Sequence, residues 1–383
     1  MRRRSIATTL GALALGAMLA ATFHQEVAPR LGLPDTVVAA GSEGGGQPQA
    51  AAPTNPCAPV IAGLSQRQQL AQLLQVGVKP ENAEDALSIV NAEQVGGIFI
   101  GGDAPGLLTG GALALVRAAS KLPITVSVDD EGGRVQRIDA MDGNLPSARA
   151  LVASNSPEQV RALAKTRGEQ LRARGVTMDL APVVDTTAAD DNTVIGDRSW
   201  SADPAVARKY AEAFAAGLRD AGVQSVLKHF PGHGNASGDS HQGLVTTPPL
   251  ADLKAKDLLP YQDIAGYGPV AVMVGHLDVP GLTDGKPATL SPAAYQLLRT
   301  DYKFDGLVMT DDLGAMKAVT NIVDLPEAVR QALAAGADVA LWSSGGRVGE
   351  VLDALEAAVG NGSLTKDRVS EALHRVLKAK GAC

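Results

Sequence analysis

The sequence predicts an α/β fold, a single (β/α)8 TIM barrel, on three observations. About eight short, near-continuous apolar runs recur along the chain, the pattern of parallel strands buried on both faces. Helical patterns with capping residues separate them. No glycine-rich phosphate turn follows the first run, as a doubly wound dinucleotide-binding sheet would usually show.

The elements follow from the N-terminus. Arg2, Arg3 and Arg4 precede an uncharged apolar run from Ile6 to Ala21, so residues 1–23 read as a signal peptide or, if retained, an N-terminal anchor. No cysteine follows that run until Cys57, so the lipid-modified cysteine of a lipoprotein is missing at its expected place. Residues 24–56 shift to Gly, Ala, Pro, Ser and Gln without apolar periodicity and read as a flexible linker. The barrel is expected over 57–383. The only cysteines, Cys57 and Cys383, stand at its two ends. In an oxidising compartment they can pair and tie those ends together; the alternative is two thiols.

Strands are expected over 73–78, 97–100, 124–129, 177–184, 226–230, 270–276, 306–311 and 338–343. Ser156 and Pro157 with Gln159 form a capping box that opens one helix. Asp203 and Pro204 open another, with Val206, Tyr210, Phe214 and Leu218 as its expected buried stripe and Gly222 at its end.

Composition narrows the function. The chain is 45% hydrophobic and 20% charged, which suits a large folded core. A net charge of −7 speaks against a general nucleic-acid partner, because phosphate neutralisation needs a basic face.

The polar residues fall where barrel chemistry is placed, at the C-terminal ends of the strands. Asp129 ends the third, Asp185 follows the fourth, Lys228 and His229 close the fifth, His276 ends the sixth, and Asp311 and Asp312 end the seventh. Three of the six histidines lie between positions 228 and 241. Their spacings match no helical or hairpin zinc pattern, so neither a metal nor another cofactor is expected. Acid/base chemistry fits better: in an extended segment Asp239 and His241 point the same way, so the carboxylate can orient the imidazole. Gly232, Gly234 and Gly238 suggest that this loop moves over a bound ligand.

These residues resemble a known family. Lys228-His229-Phe230-Pro231-Gly232-His233-Gly234 followed by Asp239-Ser240-His241 is similar to the signature loop of the glycoside hydrolase family 3 β-N-acetylhexosaminidases. Three stretches agree with it: Asp129 to Arg137, Ile195-Gly196-Asp197-Arg198-Ser199, and Thr310-Asp311-Asp312-Leu313 with Met316. The resemblance spans 57–383. It implies that Asp311 is the nucleophile, His241 the acid/base and Asp239 its dyad partner, while Asp129, Arg137, Arg198, Lys228 and His229 hold the hydroxyls of the terminal sugar. For Asp312 the expectation is a structural role, and Asp185, His233 and His276 are expected to line the pocket or hold the backbone.

The implied activity is a secreted, retaining exo-β-N-acetylglucosaminidase acting on β-linked GlcNAc in cell-wall fragments or related oligosaccharides. Membrane contact is expected only through an uncleaved N-terminal segment. Two alternatives stand beside it: a phosphorylase, in which phosphate replaces water, and a non-catalytic cell-wall-binding barrel.

Overall fold

The computed structural model describes residues 56–383; the export segment expected over 1–23, and the linker expected over 24–56 apart from Pro56, lie outside the described residues. The described chain builds eight parallel strands in sequence order: β1 (Leu74–Val78), β2 (Gly97–Ile100), β3 (Thr125–Val128), β4 (Met178–Asp179), β5 (Gln224–Phe230), β6 (Ala271–Val274), β7 (Val308–Thr310) and β8 (Ala340–Trp342). β1 to β7 pair in chain order, and β1 also pairs with β8, Leu74 lying opposite Ala340. A parallel bridge from Met309 to Val339 joins β7 to β8 and closes the barrel.

The apolar runs become strands because both of their faces are covered. β1, β2 and β6 are buried at every position. At the β1–β8 seam the backbones come so close that a Cβ on Gly77 would stand 2.2 Å from the Ser343 carbonyl oxygen, so only glycine fits there.

The fourth strand differs from expectation. Only Met178 and Asp179 join the ladder rather than all of 177–184, and Val183 makes one isolated bridge to Lys228. Pro182 has no N–H to donate, so the ladder cannot run on through it.

The outer helices follow their capping residues. Ser156 accepts from the Gln159 N–H while the Gln159 side chain accepts from the Ser156 N–H, opening Pro157–Arg174, which ends on left-handed Gly175. Asp203 caps Pro204–Asp220. The buried stripe of that helix is Ala207, Ala211, Phe214, Ala215 and Leu218, with Val206 and Tyr210 only half-buried at its margin. Small residues win the centre because this helix packs tightly on Pro157–Arg174: a Cβ on Gly217 would stand 2.4 Å from the Arg161 carbonyl oxygen.

Cys57 and Cys383 are joined by a disulfide, their Cα atoms 5.0 Å apart. Near it Lys380 reaches the foot of the barrel, its Nζ 3.0 Å from Gln72 Oε1. Among the described residues no helix is long and apolar enough to cross a membrane.

Candidate active site

The C-terminal ends of the strands surround a cavity of about 380 Å³. Asp129, Arg137, Arg198, Lys228, His229, His241 and Asp311 all line it, so seven of the eight site residues expected from sequence share one hollow. Asp239, the eighth, reaches it through His241.

On the β3 side, Asp129 Oδ1 meets Lys228 Nζ at 2.6 Å. Glu131, two residues on, meets the same ammonium at 2.6 Å and binds Arg198 with both oxygens. Burial alone would lower Lys228, but the two carboxylates outweigh it and hold the ammonium above its ordinary value. Burial would likewise raise Glu131, and Arg198 and Lys228 reverse the sign, so it stays ionised. Glu131 lies inside the stretch from Asp129 to Arg137 but has no role assigned by the motif. A third consecutive acidic residue at a strand end was the available signal, but its partners lie 67 and 97 positions away.

The loop after Asp129 is held from beneath. Asp130, fully buried, accepts the N–H groups of Arg137 and Ile138 and an ion pair from Arg167 at 2.6 Å. Arg134 turns away from the cavity. It binds the Asp197 carboxylate and the carbonyls of Asp191, Thr193, Val194 and Ile195. Arg149 adds the carbonyls of Ala189, Thr187 and Gly196. Together they shape the segment that brings Val194, Ile195 and Arg198 to the cavity wall.

Lys228 and His229 are adjacent in β5 yet both line the cavity, against the alternation of a regular strand. The pairing of β5 with β6 shifts register between Leu227 and Phe230, which re-aims these side chains. His229 Nδ1–H donates to Asp185 Oδ2 at 2.7 Å, and Asp185 also accepts the N–H groups of His229 and His233. One buried carboxylate therefore holds both histidines. Burial would raise Asp185, and His229 and His233 outweigh it, keeping it ionised.

Asp311 sits at the end of β7. Its recessed position would raise its carboxyl, but His229, His276, the Asp312 N–H and Lys228 outweigh that and pull it down to about 2. Asp312 also lines the cavity, but its oxygens are taken: Oδ1 accepts the N–H groups of Gly314, Ala315 and Ser343, and Ser343 Oγ donates to Oδ2. His276 lies fully buried beneath the pair. Burial lowers its pKa against the pull of Asp311 and Asp312; Nε2–H donates to the Asp312 carbonyl at 2.8 Å, and Nδ1 lies 2.7 Å from the Thr289 hydroxyl, which itself donates to the Gly275 carbonyl.

Asp239 and His241 meet as expected but by a different route. The segment is a turn, with Gln242 N–H donating to the Asp239 carbonyl, and Asp239 Oδ1 accepts both the His241 N–H at 2.9 Å and Nδ1–H at 2.7 Å. An aspartate that accepts the N–H two residues on makes its own turn, and that turn brings the ring within reach. The glycines also divide. A Cβ on Gly234 would meet the Thr186 carbonyl oxygen at 2.2 Å and one on Gly232 would meet Asp257 at 2.8 Å, so both serve close packing; Gly238 alone of the three has room.

With eight parallel strands, a cavity at their C-terminal ends and carboxylates facing basic side chains, the class is that of the barrel hydrolases. The chain matches the glycosyl hydrolase family 3 N-terminal domain over residues 65–379 and belongs to that family. It is 52% identical over 329 residues to the beta-hexosaminidase LpqI of Mycobacterium tuberculosis, covering 84% of each chain. A crystal structure of a glycosyl hydrolase family 3 member from Mycobacterium smegmatis superposes with a TM-score of 0.80 at 51% identity, covering 83% of this chain and 98% of that one. A family 3 beta-N-acetylglucosaminidase from Paenibacillus gives 0.77 at 32% identity, covering 83% of this chain and 62% of the other.

Proposed function

We propose that this protein is an exported, retaining exo-β-N-acetylglucosaminidase that removes terminal β-linked GlcNAc from cell-wall fragments or related oligosaccharides. One observation carries the reading: the Asp239–His241 dyad and the Asp311 carboxylate converge on a single cavity. The hexosaminidase relatives named above support the sugar class. A volume of about 380 Å³ lies near the lower end of the roughly 300–1,000 Å³ of ligand pockets, which suits one terminal sugar.

In this mechanism Asp129, Arg137, Arg198, Lys228 and His229 hold the sugar hydroxyls. Asp311, ionised, attacks C1; the C1–oxygen bond to the leaving group breaks and His241 gives its Nε2 proton to that oxygen. Water then attacks C1, its proton passes to His241 Nε2, and the C1–Asp311 bond breaks. Asp239 orients the ring from Nδ1.

Water is favoured over phosphate as the second acceptor. With Asp311 esterified at that step, the cavity wall carries Arg137, Arg198 and Lys228 against Asp129, Glu131 and Asp312, so an incoming phosphate dianion meets no net attraction. Export is supported by the basic and apolar pattern of residues 2–21 and by the disulfide, a bond of oxidising compartments.

The test is turnover of a chromogenic β-GlcNAc glycoside by the wild type and Asp311→Ala, with the sugar product identified in buffers with and without phosphate. Release of free GlcNAc in both buffers, lost in the variant, is the expected result. GlcNAc-1-phosphate in phosphate buffer would replace hydrolysis by phosphorolysis, and no release by the wild type would overturn the activity.

A further inference from the structure

His241 projects from a loop that is tied at its base and at its tip. At the base, Ser237 N–H donates to the Thr246 carbonyl and Thr246 N–H donates to Ser237 Oγ. The dyad side chains themselves are open, His241 61% and Asp239 37% exposed. Ser240, between them, is only 1% exposed. Its Oγ lies 3.0 Å from His233 Nε2, and its carbonyl accepts the Ala318 N–H at 3.1 Å, on the short helix that follows the Asp311 segment.

We infer that His233 and Ser240 are positioning residues that fasten the dyad loop over the cavity and fix where His241 delivers its proton. Two exposed side chains on a turn, with an open glycine at 238 just before them, would otherwise sample many positions. Ser240 converts that turn into a docked one. The Ala318 contact is main-chain and would serve any residue at 240; the His233 contact needs the hydroxyl. His233 suits the task because Asp185 fixes its backbone at 2.7 Å and burial lowers its ring, so a neutral imidazole meets the neutral hydroxyl. Its Nδ1 has no partner among the described residues, which leaves Ser240 as the ring's polar anchor.

The inference rests on the reading of His241 as acid/base, and leaving-group dependence separates the two. An activated 2,4-dinitrophenyl leaving group departs without a proton, whereas the disaccharide chitobiose needs one. We expect Ser240→Ala to lower kcat/KM on chitobiose by roughly 10–100-fold and on the dinitrophenyl β-GlcNAc glycoside by less than about 3-fold, with Ser240→Thr restoring most of the loss. His233→Ala should reproduce the selectivity, and His241→Ala should exceed it. Equal losses on both substrates, or none, in Ser240→Ala while His241→Ala remains selective would overturn the fastening role alone. Absence of selectivity in His241→Ala would overturn the acid/base reading and this inference with it.

Discussion

Glu131 grips Arg198 with both carboxylate oxygens, at 2.7 and 2.8 Å, and shares one of them with Lys228 at 2.6 Å. The cationic side of the cavity is thus built on a carboxylate whose side chain is only 5% exposed. Glu131→Gln would leave two buried cations short of an anion. It should cost about 2–4 kcal/mol of stability and lower kcat/KM, as denaturant unfolding and steady-state kinetics would show. A fully stable, fully active variant would mean the pair is ornamental.

Asp311, pulled to about 2, keeps its charge well below the ordinary 3.8 of an aspartate. A depressed carboxylate is protonated only as the pH falls through its folded value, so the proposed nucleophile is still ionised at pH 4. With a dinitrophenyl β-GlcNAc glycoside, which needs no acid assistance, kcat/KM should therefore stay flat from pH 6 to pH 4 while circular dichroism shows the protein folded. A decline centred near pH 4 would contradict the assignment.

Asp185 holds His229 by an ionised hydrogen bond and fixes His233 through its amide. Asp185→Asn offers the His229 ring an amide that can present its own N–H, so the tautomer with Nδ1 protonated loses its anchor. Removing an orienting carboxylate of this kind should lower kcat/KM by roughly 100-fold or more with the fold intact. Unchanged kinetics in a folded variant would show that the ring needs no such support.

Lys380 is pushed down to about 7 by burial at the foot of the barrel, from an ordinary 10.5. Because the folded state holds this proton less tightly than the unfolded chain, stability rises as the pH climbs from 7 toward 10. Partial exposure of the residue trims the effect, so about 1–2 kcal/mol should be gained between pH 7 and pH 9 and be absent in Lys380→Met. Parallel pH profiles for the two proteins in urea would refute it.

The strands were legible because a parallel strand covered on both faces must be apolar throughout, as β1 and β6 are. The fourth was overextended because an apolar run does not reveal where Pro182 stops the ladder. Seven residues of the cavity wall could be placed through the family resemblance and its motifs. The supports could not: Asp130 with Arg167, Arg149 with the segment around Gly196, and Ser240 with His233 depend on which distant or turning segments meet. Composition carries no sign of that. The close packing of Gly232 and Gly234 is hidden from the sequence for the same reason, since only their spatial neighbours reveal it.

The disulfide between Cys57 and Cys383 turns the whole barrel into a covalent ring. A single proteolytic cut in any loop between those residues would then release no fragment; the enzyme would migrate as one species until reduced and as two afterwards. For an exported protein, as proposed above, a nick in a loop would therefore leave its two pieces covalently joined.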